Sequence, residues 1–312
     1  MPATSRVPLS SSAWFAAFAL VGALLPAQSA VEVTSTQAAG TAGAPHEQTL
    51  ALLWMQRAAE YKAACLQAYN LALWQLDEAL RQPTWTACIE QVDPDTYATL
   101  PPAIVVDVDE TVLDNSAFAA RQVLAGVTTF DPAAWGAWVK EQQAAPIPGA
   151  LAYLTAAAQR GVRVVYVTNR RADSDKPGAV STEETDTRAN LARFGFPLAE
   201  APGEDLVLTA GEIGDKSARR TAVCKRFRVV QLVGDNLGDF VAGTEPRKGA
   251  QAPHGKQVEN AATERLRDGV TTEFAGWWGS RWILIPNPAY GGWETVLRSQ
   301  HDDLRAALRT QR

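Results

Sequence analysis

The run IVVDVDETVLDNS at residues 104–116 constrains this chain more than any other stretch. Ile104, Val105 and Val106 have the β-branched, apolar content of a buried parallel strand. The run then breaks into Asp107 and Asp109, with Thr111 two residues further on. A carboxylate at the end of a buried strand is costly unless something pairs it, so these acids call for a partner, most simply a cation. Three residues spaced D-x-D-x-T recur by chance, and the rest of the chain has to supply that partner.

Strands and helices alternate after this motif. Helices are expected at 134–143, 149–159, 187–194 and 216–227, and strands at 162–168, 206–208, 229–233 and 282–285. This order implies an α/β fold with a doubly wound, mostly parallel sheet, whose ligands lie outside the carboxyl ends of the strands. Upstream, residues 47–80 carry apolar side chains at steps of three and four until Pro83, which fits one long helix or two in a hairpin. A further short helix is expected at 85–91. The polar stretch 170–187, with the insert 172–187, reads as a loop.

Those strand ends carry a consistent set of polar residues. The strand VRVVYVT ends in Thr168, Asn169 and Arg170, where a hydroxyl and free backbone N–H groups suit an anion. Lys216 opens a helix, where an ammonium and the N-terminal N–H groups can face a phosphate together. The strand at 229–233 runs into Gly234, Asp235, Asn236, Leu237, Gly238 and Asp239, two carboxylates four residues apart beside a glycine that admits a ligand to the backbone. Singly, the threonine, the lysine and the later acids have ordinary readings as turn residues, surface charge and helix caps. In order at successive strand ends they form one anion- and cation-binding set.

The chain of 312 residues has ordinary globular composition and a net charge of −5, so charge points to no nucleic-acid polymer and no anionic membrane. The basic stretch formed by Arg219, Arg220, Lys225, Arg226 and Arg228 reads as a solvated helix face. Arg6, an apolar segment at 13–25 and the small residues Ala27, Ser29 and Ala30 have the layout of a secretory signal peptide, cleaved after Ser29. Residues 30–45 then form a flexible leader, and 46–312 one domain with N-terminal helices at 46–100 and cap elements at about 115–148. No lipobox cysteine follows the apolar segment, so the expected product is periplasmic or secreted without a membrane anchor. Of three cysteines, Cys65 and Cys88 are expected to pair and Cys224 to be a core thiol. Cysteine spacings match no zinc pattern, and with three histidines and no Gly-x-Ser-x-Gly a Ser-His-Asp hydrolase is disfavoured.

The set Asp107, Thr168, Lys216, Asp235-x-x-x-Asp239 resembles the haloacid dehalogenase (HAD) superfamily of aspartate-nucleophile phosphotransferases. Its flanks, with PIPG at 146–149, FGFP at 194–197 and PNPAYGGWE at 286–294, resemble the class C "DDDD" acid phosphatases, the group of the exported lipoprotein e(P4) nucleotidases. The resemblance spans residues 47–297. It implies a Rossmann-like HAD sheet with a helical cap drawn largely from the N-terminal helices, and an exported, Mg²⁺-dependent acid phosphatase. The expected substrates are small phosphomonoesters such as nucleoside 5′-monophosphates or aryl phosphates.

The same resemblance implies Asp107 as nucleophile and metal ligand, Asp235 as metal ligand, and Asp109 as general acid–base with its backbone carbonyl on the metal. Thr168 and the N–H of Asn169 would hold phosphoryl oxygens, Lys216 would neutralise charge, and Asp239 would orient Lys216 or a metal-bound water, with Asn236 in support. Tyr290 occupies the place of an aromatic that stacks on a base or aryl group, although a turn-packing role fits it equally. Trp135 and Trp138 are further substrate-contact candidates, with a core role as the alternative. Two other readings stand beside this one: a non-catalytic binding or storage protein on the same fold, and another HAD hydrolase such as a phosphonatase. Oligomeric state stays open between a single chain and a homodimer.

Overall fold

In the computed structural model the described residues are 46–172, 182–198, 206–209, 215–244, 256–301 and 303–310, with backbone alone for 206–209 and 256–261. The signal peptide and leader expected at 1–45, and residues 173–181 of the polar insert, lie outside them. Five parallel strands build the sheet: β1 (Pro102–Val106), β4 (Arg163–Arg171), β5 (Leu206–Thr209), β6 (Arg228–Gly234) and β7 (Trp282–Leu284), in the order β5-β4-β1-β6-β7. β1 is central and pairs with β4 on one side and β6 on the other. Two short strands, β2 (Leu113–Asp114) and β3 (Ala145–Pro146), form a separate antiparallel ribbon.

Both faces of the sheet are covered, and the period-two alternation of strand side chains sets the two cores. Ile104, Val106, Val164 and Tyr166 face one core with Tyr69 and Leu76 of α2 (Ala59–Arg81) and Tyr153 and Leu154 of α6 (Ala150–Gln159). Ala103, Val105, Val165 and Val167 face the other, with Val223 of α8 (Ser217–Cys224) and the buried Trp282. Around Trp282 the rings of Phe240, Phe274, Trp277 and Trp278 pack with centroids 4.6–5.5 Å from it.

The N-terminal helical stretch divides in two, α1 (Thr49–Arg57) and α2, at Ala58, whose extended ψ of 132° breaks the helical ladder. α2 stops at Arg81 because Gln82, ahead of Pro83, is extended. α2 lies on the sheet face, whereas α1 packs against α4 (Ser116–Leu124), and Gln56 of α1 donates to Ser116 Oγ at 3.2 Å. Residues 85–91 are turns instead of the expected helix. Their hydrogen bonds go to the sheet: Ala87 N donates to the Val229 carbonyl at 2.7 Å, and Trp85 Nε1 to that of Val230 at 2.9 Å. Helix α3 (Pro94–Tyr97) follows, capped by the Asp93 carboxylate.

The remaining helices are α5 (Pro132–Glu141), α7 (Glu183–Arg193), α9 (Lys256–Glu273) and α10 (Gly292–Gln300). α7 begins four residues before the expected start because Glu183 and Asp186 are buried and bonded, the first accepting from Arg171 N at 2.8 Å. Two further expectations fail. Arg220 and Arg228 are buried, not solvated: Arg228 Nη1 donates to the carbonyls of Ala79, Gln82 and Trp85 at 2.9–3.2 Å, closing the C-terminus of α2. Cys65 and Cys88 are free and belong to different cores on opposite faces of the sheet, so they cannot pair; the neighbour of Cys88 is Cys224.

Candidate active site

The carboxyl edge of β1 and β6 is where backbone ladder gives way to side-chain chemistry. Asp107 N still donates to the Val233 carbonyl at 2.9 Å, so the first residue past β1 is held in strand register while its carboxylate turns to the edge. Lys216, the N-cap of α8, is buried, and its ammonium donates to both Asp107 Oδ1 and Asp239 Oδ1, the latter at 2.6 Å. Asp239 is fully engaged, since its Oδ2 also accepts Asn236 N at 3.0 Å. Gly234 makes room for this: a Cβ there would lie 2.2 Å from Asp239 Oδ2.

Asp235 completes an acidic group, with one carboxylate oxygen each of Asp107, Asp235 and Asp239 within 4.8 Å of one another. Asn287 Nδ2 donates to Asp235 Oδ2 at 2.8 Å, and Thr111 Oγ1 lies 3.3 Å from Asp107 Oδ2 and 3.5 Å from Asp235 Oδ1. Three carboxylates thus face one ammonium. Burial, opposed by Lys216 and reinforced by Asp239 and Asp109, pushes the Asp107 carboxyl up to about 7. Burial and the charge of Asp107 raise Asp235 well above the carboxylate range. Lys216 is lifted above its ordinary value because the two aspartates outweigh its burial. This excess of hard oxygen donors over positive charge fits a divalent cation held by Asp107 and Asp235, with Asp239 committed to the lysine.

Asp109 stands apart from that group. Its carboxylate accepts from Arg170 Nη2 at 2.7 Å and Nε at 3.0 Å, from Asn115 Nδ2 at 2.9 Å, and from Thr168 Oγ1 at 3.4 Å. Arg170 is buried, donates Nη1 to Thr187 Oγ1 at 2.9 Å, and sits over the Trp135 ring at 5.5 Å. The turn that carries Asp109 is shaped by Glu110, which takes a left-handed φ of 56° and accepts Asn115 N at 2.8 Å. Tyr69 of α2 braces it from behind by donating to the Thr111 carbonyl at 2.6 Å.

Of the other expected residues, Thr168 is buried at the end of the apolar part of β4, and Arg170 N donates to its hydroxyl at 3.2 Å. Asn169 is exposed, its side chain accepting from Arg219 Nη2 at 2.6 Å, while Arg219 Nη1 donates to the Thr168 carbonyl at 2.5 Å. Tyr290 is 36% exposed beside the Asn287 turn, whose Oδ1 lies 3.4 Å from Tyr290 N. Trp138 is buried and donates Nε1 to Asn115 Oδ1 at 2.8 Å, which corrects its reading as a substrate contact: it packs the support of Asp109. Trp135 is partly exposed, edge-on to Phe118 at 5.2 Å. Arg170, Asn115 and Asn287 were assigned no role from sequence, and Arg219 only that of a solvated helix face. Arg170, Arg219 and Asn287 act through partners 50 or more residues away, whereas Asn115 reaches back only to Asp109; the adjacency of Arg170 to Thr168 and Asn169 is the one signal that could have pointed to it.

The strand order, the acid-rich edge and the lysine between two aspartates together define a phosphohydrolase of the HAD type. Residues 16–293 match the family described as HAD superfamily, subfamily IIIB (Acid phosphatase). Two structures of the class C acid phosphatase from Bacillus anthracis, one with tungstate bound, are similar at 30% identity and a TM-score of 0.64, over 85% of this chain and 98% of theirs. The chain belongs to HAD subfamily IIIB, the acid phosphatases, and is a phosphomonoester hydrolase.

Proposed function

We propose that the chain is an exported, Mg²⁺-dependent class C acid phosphatase that acts on nucleoside 5′-monophosphates and related small or aryl esters through a phosphoryl group carried on Asp107. The observation that carries this reading is the buried Lys216 bridging Asp107 and Asp239 at the carboxyl edge, beside Asp235. The tungstate bound by the Bacillus anthracis relative is a tetrahedral oxyanion, of the shape this edge would have to receive.

A phosphomonoester resists attack because nucleophile and substrate are both anionic. Mg²⁺ held by Asp107, Asp235 and the Asp109 carbonyl would supply charge neutralisation at the phosphoryl group. In the first step a carboxylate oxygen of Asp107 bonds to phosphorus, the ester P–O bond breaks, and Asp109 gives its proton to the departing oxygen. In the second, Asp109 takes a proton from water, the water oxygen bonds to phosphorus, and Asp107 is released with inorganic phosphate. Lys216 offsets the charge of Asp107 and of the transferring group, and Thr168 and the N–H of Asn169 hold its oxygens. Arg170 fixes the Asp109 carboxyl through two N–H donors, and delivery of the proton requires that carboxyl to turn from the guanidinium toward the leaving oxygen.

Asp107→Asn is expected to abolish hydrolysis of an aryl phosphate while leaving the thermal midpoint unchanged. Run beside the wild-type protein on nucleoside monophosphates, nicotinamide mononucleotide and sugar phosphates, the assay also orders the substrates. Activity retained by the variant would remove Asp107 as nucleophile, and a preference for sugar phosphates would remove the nucleotide reading.

A further inference from the structure

Two thiols lie together away from the active site, in the second core. Cys88 belongs to the turns that follow α2, Cys224 ends α8, and their sulfurs lie within 4.8 Å of each other. One residue, Gln91, bonds both backbones, that of Cys224 through its side chain and that of Cys88 through its main chain. Gln91 Nε2 donates to the Cys224 carbonyl at 3.1 Å and to that of Phe227 at 2.8 Å, and Gln91 Oε1 accepts from Val229 N at 3.1 Å. On the other side Gln91 N donates to the Cys88 carbonyl at 3.1 Å, and Cys88 N to Thr86 Oγ1 at 3.1 Å. A disulfide needs the sulfurs at about 2.05 Å, so the two must approach from their present separation.

We propose that Cys88 and Cys224 are a redox pair that closes to a disulfide, stapling the segment after α2 to the C-terminal end of α8. The oxidant is a small-molecule disulfide such as oxidised glutathione. The thiolate of one cysteine attacks it, forming a mixed disulfide and releasing one glutathione thiol; the other cysteine loses its proton and displaces the second glutathione. The protein gives up two hydrogens and two electrons, and the oxidant becomes two thiols. Burial raises the Cys88 thiol well above its ordinary range, and Cys224 is 9% exposed against 0% for Cys88, so attack on the oxidant begins at Cys224.

Glu90 stands within the same cluster, which raises a bound metal as the alternative. Against it, the Arg220 guanidinium lies 3.1 Å from Glu90 Oε1 and already occupies the cluster with positive charge. α8 presents Lys216 at its other end, so the staple anchors the helix that carries the active-site ammonium.

The test uses the full chain equilibrated with oxidised glutathione, denatured, alkylated with N-ethylmaleimide, digested and mapped by mass spectrometry. The expected map shows a Cys88–Cys224 linked peptide lighter by two hydrogens, an alkylated Cys65, and three alkylated cysteines after reduction. In Cys224→Ser the link is absent and Cys88 is alkylated. Three alkylated cysteines in the oxidised wild-type protein, a link through Cys65, or stoichiometric zinc that blocks the link would overturn the proposal. Phosphatase activity is not the readout, so this result is independent of the proposed reaction.

Discussion

Arg170 is the residue whose role the fold reveals most plainly. Its guanidinium forks onto Asp109 from a buried position fixed by Thr187 and Trp135, so it orients the group assigned as acid–base. Arg170→Ala is expected to lower kcat between about tenfold and a hundredfold with little change in KM, because such supports set the orientation of the group they hold. Arg170→Lys recovers little, lacking the planar fork. A kcat that stays at the wild-type value would show Asp109 to be positioned by Asn115 and Thr168 alone. At this scale the sequence was legible where residues stand at strand ends: the structure brings Asp107, Lys216, Asp235 and Asp239 together, with Thr168 on Asp109. It was not legible for Asn115 or Asn287, whose bonds to Asp109 and Asp235 depend on how a turn and a loop close.

Elements were legible in proportion to their period and their independence from the rest of the chain. The apolar strands and α2 follow from local pattern, although the pattern could not show the break at Ala58. Residues 85–91 read as a short helix, yet Trp85 and Gln91 serve the sheet and α8 through long-range bonds. Two-residue strands such as β2 and β3 are too short to show a period at all. The basic stretch misled for a similar reason, since burial of Arg228 depends on the carbonyls that α2 leaves open where it ends. Arg228→Met is expected to destabilise the fold by about 2–4 kcal/mol, because three carbonyls lose a charged donor. Chemical denaturation reads this as a lower midpoint at unchanged slope. A variant as stable as the wild-type protein would show that water satisfies those carbonyls.

Over the whole molecule, the sheet order puts β1 and β6 side by side, and this alone brings Asp107 and Asp235 together from motifs far apart in the chain. The doubly wound fold thereby gathers a buried excess of negative charge that a divalent cation would relieve. Removal of metal with EDTA is expected to abolish turnover, and added Mg²⁺ at about a hundredfold its Kd to restore it and to stabilise the fold by about 2–3 kcal/mol. Asp235→Asn should lose that stabilisation, and full activity in EDTA would contradict the metal assignment. Phosphoryl transfer to Asp107 is tested by quenching turnover of an aryl phosphate with acid, reducing with borohydride and mapping the peptides. A fraction of residue 107, and of no other aspartate, is expected to be recovered as homoserine, the product of reducing an aspartyl phosphate. Homoserine at another aspartate would contradict it.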